Sequence, residues 1–124
     1  MKYLCLVAFD EKKLEALSKN ESDALTDESL AYNDALRQSG HLLVAQALQF
    51  VQSATTVRMR NGKLSITDGP FAETNEQLGG FILIDASDLN DAIQVASKIP
   101  LARFGSIEVR PIMELASSSR ESRP

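Results

Sequence analysis

Two stretches of this sequence are apolar on both faces, and they limit the possible folds more than any other feature. Residues 3–9 read YLCLVAF, and residues 80–85 read GFILID. A strand with one face in water alternates apolar and polar residues, whereas a strand covered on both faces is continuously apolar. Both stretches therefore predict strands inside a sheet. Such a sheet needs helices on one face and a second apolar layer on the other.

The rest of the chain predicts helices and strands in alternation around one β-hairpin. Asn61-Gly62 is the dipeptide that favours a two-residue hairpin turn. Thr26 is a suitable N-cap for a helix that ends before Gly40, a fitting residue for a helix C-terminus. The predicted elements, besides the two apolar strands, are helices at 11–18, 26–39 and 89–99, strands at 42–51 and 106–113, and hairpin strands at 55–60 and 63–67.

This order is β-α-β, an inserted hairpin, and β-α-β, the ferredoxin-like α+β arrangement. Two helices can cover only one face of such a sheet. The second face is covered either by the same face of a second copy, giving a two-fold homodimer, or by the inserted hairpin folding back over it. The dimer is the favoured alternative. Residues 1–115 are predicted to form the domain, and residues 116–124, ASSSRESRP, a disordered polar tail.

Composition argues against several classes of function. The 124 residues carry a net charge of −4, which disfavours nucleic acid and anionic membranes as partners. One His and one Cys cannot build a usual zinc site, and no glycine-rich phosphate loop is present, so we expect no metal and no cofactor. The lone Cys5 excludes an internal disulfide, and the N-terminal apolar run lacks a small-residue cleavage site. We therefore expect a soluble cytoplasmic protein.

Residues 67–80, TDGPFAETNEQLGG, are more elaborate than a connection between two strands requires. Asp68-Gly69 is typical of a tight turn, but the proline that follows has no N–H to donate to a sheet. Phe71 is expected to anchor the loop by burying its ring. Gly79-Gly80 permits a close approach of another group where the chain re-enters the sheet. Long ordered loops in small domains are often functional, so this segment is a candidate site.

Three strings of residues resemble one known family. DGPFAET at 68–74, EQLGGF at 76–81 and GSIEVRP at 105–111 closely resemble the YCII-related family, also called DGPF-domain proteins. The resemblance covers the chain from Met1 to about Leu115. It implies a ferredoxin-like dimeric α/β barrel, in which two sheets pack face to face. It also implies either a small enzyme with a His–Asp pair in a cleft, or a companion of an extracytoplasmic-function sigma factor.

The resemblance implies two candidate catalytic residues. Asp68 matches the motif aspartate and would act as a general acid or base in the cleft, although the same residue also suits a turn-capping role. His41, the only histidine, lies in the region from which the family's histidine comes and would be the partner of Asp68. Its position after a helix C-terminus also suits a protonated histidine, because the helix dipole favours positive charge there.

Four further residues are candidates for substrate binding. Arg110 could clamp a ligand carboxylate, or it could pair with a nearby glutamate. Glu73 and Glu76 lie in the motif and could face the cleft, or they could bond to the loop backbone or to water. Phe71 completes the set. The family string commonly has Lys where this chain has Asn75, so one anion-binding group is missing here.

Two hypotheses about function follow from these residues. The first is a small cofactor-independent enzyme that carries out acid–base chemistry on a small polar metabolite in the cleft of a dimeric barrel. The second is a non-catalytic module that binds a ligand or a regulatory protein, with the loop held in shape by its own hydrogen bonds. A deep cleft in which Asp68 faces His41 or another titratable group would favour the first hypothesis. A filled cleft, with Asp68 bonded only to backbone N–H groups, would favour the second.

Overall fold

Residues 1–116, which the computed structural model describes, contain six strands and three α-helices. Two short 3-10 turns, Val51–Ser53 and Pro100–Phe104, lie between them. The predicted disordered tail lies, from residue 117 on, outside the described residues. The strands are β1 (Lys2–Phe9), β2 (Leu42–Ala47), β3 (Thr55–Arg60), β4 (Lys63–Asp68), β5 (Gln77–Asp85) and β6 (Gly105–Pro111), and the helices are α1 (Glu11–Glu15), α2 (Lys19–Gln38) and α3 (Leu89–Ser97).

Four of the strands form one antiparallel sheet in the order β2-β5-β1-β6. The two continuously apolar strands, β1 and β5, are its central pair, as their sequences predicted. The chain crosses from β1 to β2 and from β5 to β6 through helices, which is the topology of the ferredoxin-like fold. The predicted α+β fold class is therefore confirmed. The other two strands, β3 and β4, form a separate two-stranded sheet.

The hydrophobic core lies between the helices and one face of the four-stranded sheet. Alternate residues of β1, namely Tyr3, Cys5, Val7 and Phe9, point into it and are almost fully buried. Burial raises the pKa of the Cys5 thiol to about 11, so this cysteine is a packing residue with little thiolate at neutral pH. The intervening residues of β1 point to the opposite face of the sheet, on which none of the three described helices packs; Lys2 is exposed there and the others are half-buried.

Helix α2 begins earlier than the sequence pattern predicted, and this part of the prediction was wrong. Its N-cap is Ser18 and not Thr26. The Ser18 hydroxyl accepts from the Glu21 N–H, and the Glu21 carboxylate accepts from the Ser18 N–H, which is a complete capping box. The first two turns carry few apolar residues, so helical periodicity does not reveal them. Reciprocal capping and exposed polar residues stabilise them instead.

Strand β2 is shorter than predicted and ends at Ala47. The chain then turns so that Phe50 packs on Phe9, with ring centroids 6.3 Å apart. The Val51 N–H that begins the following 3-10 turn donates to the buried Glu11 carboxylate. The segment 42–51, which was predicted as one strand, is therefore a strand as far as Ala47, followed by a turn that directs Phe50 towards the core.

The Gly79-Gly80 pair forms the close approach that the sequence predicted. A Cβ atom on Gly79 would lie 2.0 Å from the Phe9 ring, and one on Gly80 would lie 2.7 Å from the Gln46 carbonyl oxygen. The pairing of β1 with β5 shifts register between Val7 and Ala8, opposite this pair. The two glycines thus bring an aromatic ring and a neighbouring strand against the backbone of β5.

Candidate functional site

The β3–β4 hairpin has one polar and one apolar face. Asn61 and Gly62 form its turn with positive φ angles of 52° and 74°, as predicted for this dipeptide. Four apolar side chains on one face are each 60–62% exposed, although an isolated two-stranded hairpin is only marginally stable. Within one chain, the hairpin does not fold back to bury this face against the four-stranded sheet. The four side chains, named here the hairpin apolar face, are Val57, Met59, Leu64 and Ile66.

The loop that follows, residues 69–76 and named here the motif loop, is tied to the hairpin by its backbone. The Gly69 N–H donates to the Ala54 carbonyl at 2.7 Å, and the Thr56 hydroxyl donates to the Gly69 carbonyl at 2.7 Å. The Arg58 guanidinium donates to the Phe71 carbonyl at 3.1 Å. These bonds fix the exit of the loop from β4, and they use a hydroxyl and a guanidinium from the polar face of the hairpin.

Polar side chains at the other end of the motif loop also bond to protein groups. The Gln77 amide oxygen accepts from the Glu11 N–H at 3.0 Å, and its NH₂ group donates to the Thr74 carbonyl. The Ser106 hydroxyl donates to the Glu76 carboxylate at 2.8 Å. The motif residues Thr74, Glu76 and Gln77 therefore hold this end of the loop against α1 and β6, which explains part of the elaborate sequence.

Phe71 does not anchor the loop within one chain, and that prediction was wrong. Its ring is 79% exposed and lies beside β3. A proline precedes it and the Arg58 guanidinium bonds its carbonyl, so the loop is held by its backbone and the ring is left outside. Asp68 and Glu73 are also exposed, and among residues 1–116 no side-chain hydrogen bond to either carboxylate is present. Asp68 lies opposite Thr55, on the same side of the hairpin as the hairpin apolar face.

The face of the four-stranded sheet that carries no helix, named here the open face, is apolar in its centre and charged along β6. Leu4 pairs with Leu83 across its centre, and Leu4 also pairs with Arg110 on its other side. Arg110 lies 3.7 Å from Glu108, two residues away on the same strand. Both charged side chains are well exposed, so this ion pair contributes little and leaves the guanidinium accessible.

His41 lies at the other end of the sheet from the motif loop. Its carbonyl accepts from the Asp85 N–H at the end of β5, whereas the motif loop joins β5 at Gln77. At about 3.3 Å per residue, this nine-residue strand separates the two places by roughly 26 Å. The structure therefore does not bring His41 and Asp68 together within one chain, and a catalytic role for either residue remains a prediction.

The partner of His41 is Asp91, on the first turn of α3. The His41 Nε2 lies 3.0 Å from the Asp91 carboxylate, and Nδ1 lies 2.7 Å from the Ser39 hydroxyl. The Ser87 N–H also donates to this carboxylate at 3.0 Å. This cluster joins the C-terminus of α2 to the N-terminus of α3. Ser39 is the C-cap of α2, so the negative end of the helix dipole disfavours negative charge on its hydroxyl oxygen.

The Asp91 carboxyl should make the stability of the protein depend on pH. The Ser87 N–H, followed by the His41 ring, holds its pKa below the usual 3.8. A lowered folded-state pKa stabilises the fold above about pH 4, and that contribution is lost as the pH falls through the folded-state value. Asp91→Asn should therefore have a lower thermal midpoint than the parent at pH 7, and the difference should shrink below about pH 4.

This difference is measured by thermal unfolding of both proteins at several pH values between about 3 and 7, a range that includes the usual carboxyl pKa. Other carboxyl groups with lowered pKa values, such as Asp85 and Glu28, are present in both proteins and cancel in the comparison. Asp27→Asn, at an exposed position on α2, is the control and should follow the parent throughout. A constant difference between Asp91→Asn and the parent at all pH values would contradict the assignment.

Comparison with known sequences identifies the family to which this chain belongs. The sequence profile of the YCII-related domain matches residues 1–116. The chain belongs to the YCII-related domain family. An uncharacterized protein of Rhizobium meliloti (strain 1021) is 37% identical over 114 residues, which are 90% of this chain and 92% of that protein. The profile spans β1 to β6 together with the motif loop, so this YCII-related chain is similar to the family over the whole fold.

Sequence reasoning missed two features of this YCII-related protein. Asp91 was read only as part of a helix, and nothing in the sequence connects it with His41 fifty positions earlier. Glu11 was read as part of a charged surface stretch, but it is buried and caps the 3-10 turn at Val51. Both are contacts between distant parts of the chain. No helix among the described residues has the length and apolarity needed to cross a membrane.

Proposed function

We propose that this protein is a homodimeric, non-catalytic binding module in which two copies cover each other's open face and hairpin apolar face. One observation carries the proposal. The hairpin stands outside the main sheet with four large apolar side chains 60–62% exposed. Contiguous apolar surface of this kind marks an interaction site, and a two-fold contact would join like surfaces of two identical chains.

The non-catalytic form of the proposal is supported by the hydrogen bonds of the motif loop. Thr74, Glu76 and Gln77 bond within the protein, and His41 is paired with Asp91. The enzyme predicted from the sequence would use Asp68 and His41 as a pair that converges on one substrate. Within one chain the candidate groups do not converge, whereas a loop held by its own bonds is what a binding surface requires.

The proposed ligand or partner surface is the rim where the motif loop and β6 approach the open face. Arg110 is exposed further along β6, opposite Leu4, and suits a carboxylate on a bound molecule that extends from this rim across the open face. Phe71 offers an exposed aromatic ring, and Asp68 and Glu73 offer exposed carboxylates for hydrogen-bond donors. Glu76 is also exposed and positions the rim through its bond to Ser106, so one of its carboxylate oxygens is already engaged within the protein.

We also place the module in the cytoplasm, where the sequence resemblance suggests an extracytoplasmic-function sigma factor as a partner. The support for this compartment is the single buried Cys5, which cannot form an internal disulfide. In the proposal the homodimer is the resting form of the protein. A sigma factor would then bind the remaining exposed rim of the dimer and would not replace the second copy.

A cysteine placed on the hairpin tests whether the hairpin apolar face is covered in solution. The native thiol is buried, with its pKa raised to about 11, so Leu64→Cys creates the one reactive thiol among the described residues. Its labelling by a thiol reagent should slow at least tenfold, on the order of 1.4 kcal/mol of protection, as the protein concentration rises through the dimer dissociation constant.

The matched control is Ser65→Cys, on the adjacent residue but on the polar face of the same hairpin. This thiol should label rapidly at every protein concentration. Equal, fast labelling of Leu64→Cys and Ser65→Cys at high concentration would contradict the proposed dimer. In that case the hairpin apolar face would be free for a different partner, such as the sigma factor.

The enzymatic alternative is favoured by one specific observation. Asp68 is an exposed carboxylate on the same side of the hairpin as four apolar residues, without a side-chain hydrogen bond among residues 1–116. A dimer that covers this side would partly bury the carboxylate and place it in a cleft, where it could accept a proton from a substrate. Asp68 would then act on a small polar metabolite in the cleft between two copies.

A further inference from the structure

A cavity lies on the helical side of the four-stranded sheet, away from the open face. It has a volume of about 560 Å³ and lies between α2 and the strands β2 and β5. Cavities that hold small organic ligands measure roughly 300–1,000 Å³, so this one has the size of a binding site. It opens to solvent beside the exposed side chains of Leu30 and Leu48.

The cavity exists because α2 packs poorly on the sheet. Of its twenty residues, only Leu36 near the C-terminus is buried. Leu25 is half-buried and Leu30 is 58% exposed, although both lie in the half of the helix that faces the cavity. Because the cavity opens to solvent, water is in contact with its aliphatic and aromatic walls when no ligand is bound, and apolar surface in water is unfavourable. An apolar occupant would remove this surface from water and stabilise the folded protein.

The walls specify the chemistry of that occupant. Most of the lining is apolar or aromatic, including the rings of Phe9 and Phe50. Ser29 and Asn33 face it from α2, and among residues 1–116 neither side chain has a hydrogen-bond partner in the protein. Among the described lining residues the one charged side chain is the exposed Glu15, so no cation is available to balance an anionic ligand.

We infer that this cavity binds a neutral amphipathic molecule with a hydrocarbon chain and a hydroxyl or carbonyl head group. The chain lies between the aromatic and aliphatic walls, and the head group bonds with Ser29 and Asn33. A carboxylate head would be left without a counter-charge, which makes an anionic ligand of the same length bind more weakly. The inference does not depend on the proposed homodimer, because the cavity lies on the face of the sheet opposite to the open face.

The test uses 1-decanol as the probe and sodium decanoate as its charged counterpart, with the full-length parent protein. Calorimetry at pH 7 should show saturable binding of 1-decanol, and the thermal midpoint should rise with its concentration because the ligand binds the folded state. Decanoate should bind at least about tenfold more weakly, a difference of 1.4 kcal/mol. No saturable binding of decanol, or tighter binding of decanoate, would overturn the inference.

Variants place the probe in the cavity. Asn33→Phe fills the cavity and should weaken decanol binding at least roughly tenfold, whereas the matched Asn20→Phe, on the same helix outside the lining, should leave it unchanged. Ser29→Leu is a smaller filling substitution that serves if Asn33→Phe fails to fold. Parent-like affinity in the folded filling variants would overturn the inference.

A third variant distinguishes the cavity from the hairpin apolar face, which could also attract an alkyl chain. Leu64→Glu disrupts that face but leaves the cavity intact, so it should bind decanol as the parent does. Loss of binding in Leu64→Glu would place the alkyl chain on the hairpin and overturn the assignment of the site. Failure of the dimer with retained decanol binding would reject the proposed function and leave the cavity site in place.

Discussion

Replacing Leu64 with glutamate is expected to separate the dimer into monomers. Leu64 is 60% exposed in a single chain and lies opposite Met59 in the hairpin apolar face. Burial of a leucine side chain against a second copy contributes about 2 kcal/mol, and a carboxylate there must also lose its water. Together these terms weaken self-association by at least about 3 kcal/mol, or roughly 100-fold in the dissociation constant.

The control for this substitution is Ser65→Glu. It adds the same charge at the next position, on the polar face of the hairpin beside Arg58. Both variants are compared with the parent by sedimentation equilibrium over a range of concentrations. Leu64→Glu should sediment as a monomer where Ser65→Glu and the parent are dimers. An equal effect of the two substitutions would mean that general charge repulsion, and not the hairpin apolar face, governs association.

Replacing Gly79 with alanine is expected to cause the largest loss of stability of any single methyl addition in the motif. The added Cβ would lie 2.0 Å from Cε2 and 2.1 Å from Cζ of Phe9, whose side chain is buried in the core. The ring cannot move away without displacing its neighbours, because the core is closely packed. Overpacking of this severity costs about 3 kcal/mol, and for a domain of this size it lowers the thermal midpoint by roughly 10 °C.

Two comparisons separate this clash from other effects of losing a glycine. Gly69→Ala meets no atom within 4 Å but has a positive φ of 94°, so it reports backbone strain alone, about 1 kcal/mol. Phe9→Leu in the Gly79→Ala background shortens the clashing side chain, and the two substitutions should be less than additive. Additive effects, or equal losses in Gly79→Ala and Gly69→Ala, would contradict the explanation from the Phe9 ring.

Local patterns predicted the sheet of this protein correctly because each strand carries its own signal. The apolar runs at 3–9 and 80–85 became the two central strands, and Asn61-Gly62 became the hairpin turn. The start of α2 could not be predicted from the apolar pattern. Ser18 and Glu21 begin that helix through mutual hydrogen bonds, and the polar residues around them resemble a loop in composition.

The motif loop was predictable from the sequence, but its contacts were not. Residues 69–76 do connect β4 to β5 as a loop, whereas Arg110 lies four residues beyond Ser106, the residue of β6 that bonds to this loop. The pairing of His41 with Asp91 depends on how two helix ends meet, which no spacing in the sequence encodes. The exposure of Phe71 was unexpected for a similar reason, because an isolated sequence does not reveal whether an aromatic ring packs within its own chain or against another.

The measurement that tests the central claim most directly is the mass of the unmodified protein by sedimentation equilibrium across a wide range of concentrations. The open face and the hairpin apolar face together should support an interface of standard size, roughly 800 Å² on each partner. The account predicts a reversible equilibrium between monomer and dimer with the dimer dominant at micromolar concentration. A single monomeric mass at all concentrations would contradict it, and the apolar surface of the hairpin would then require a different partner.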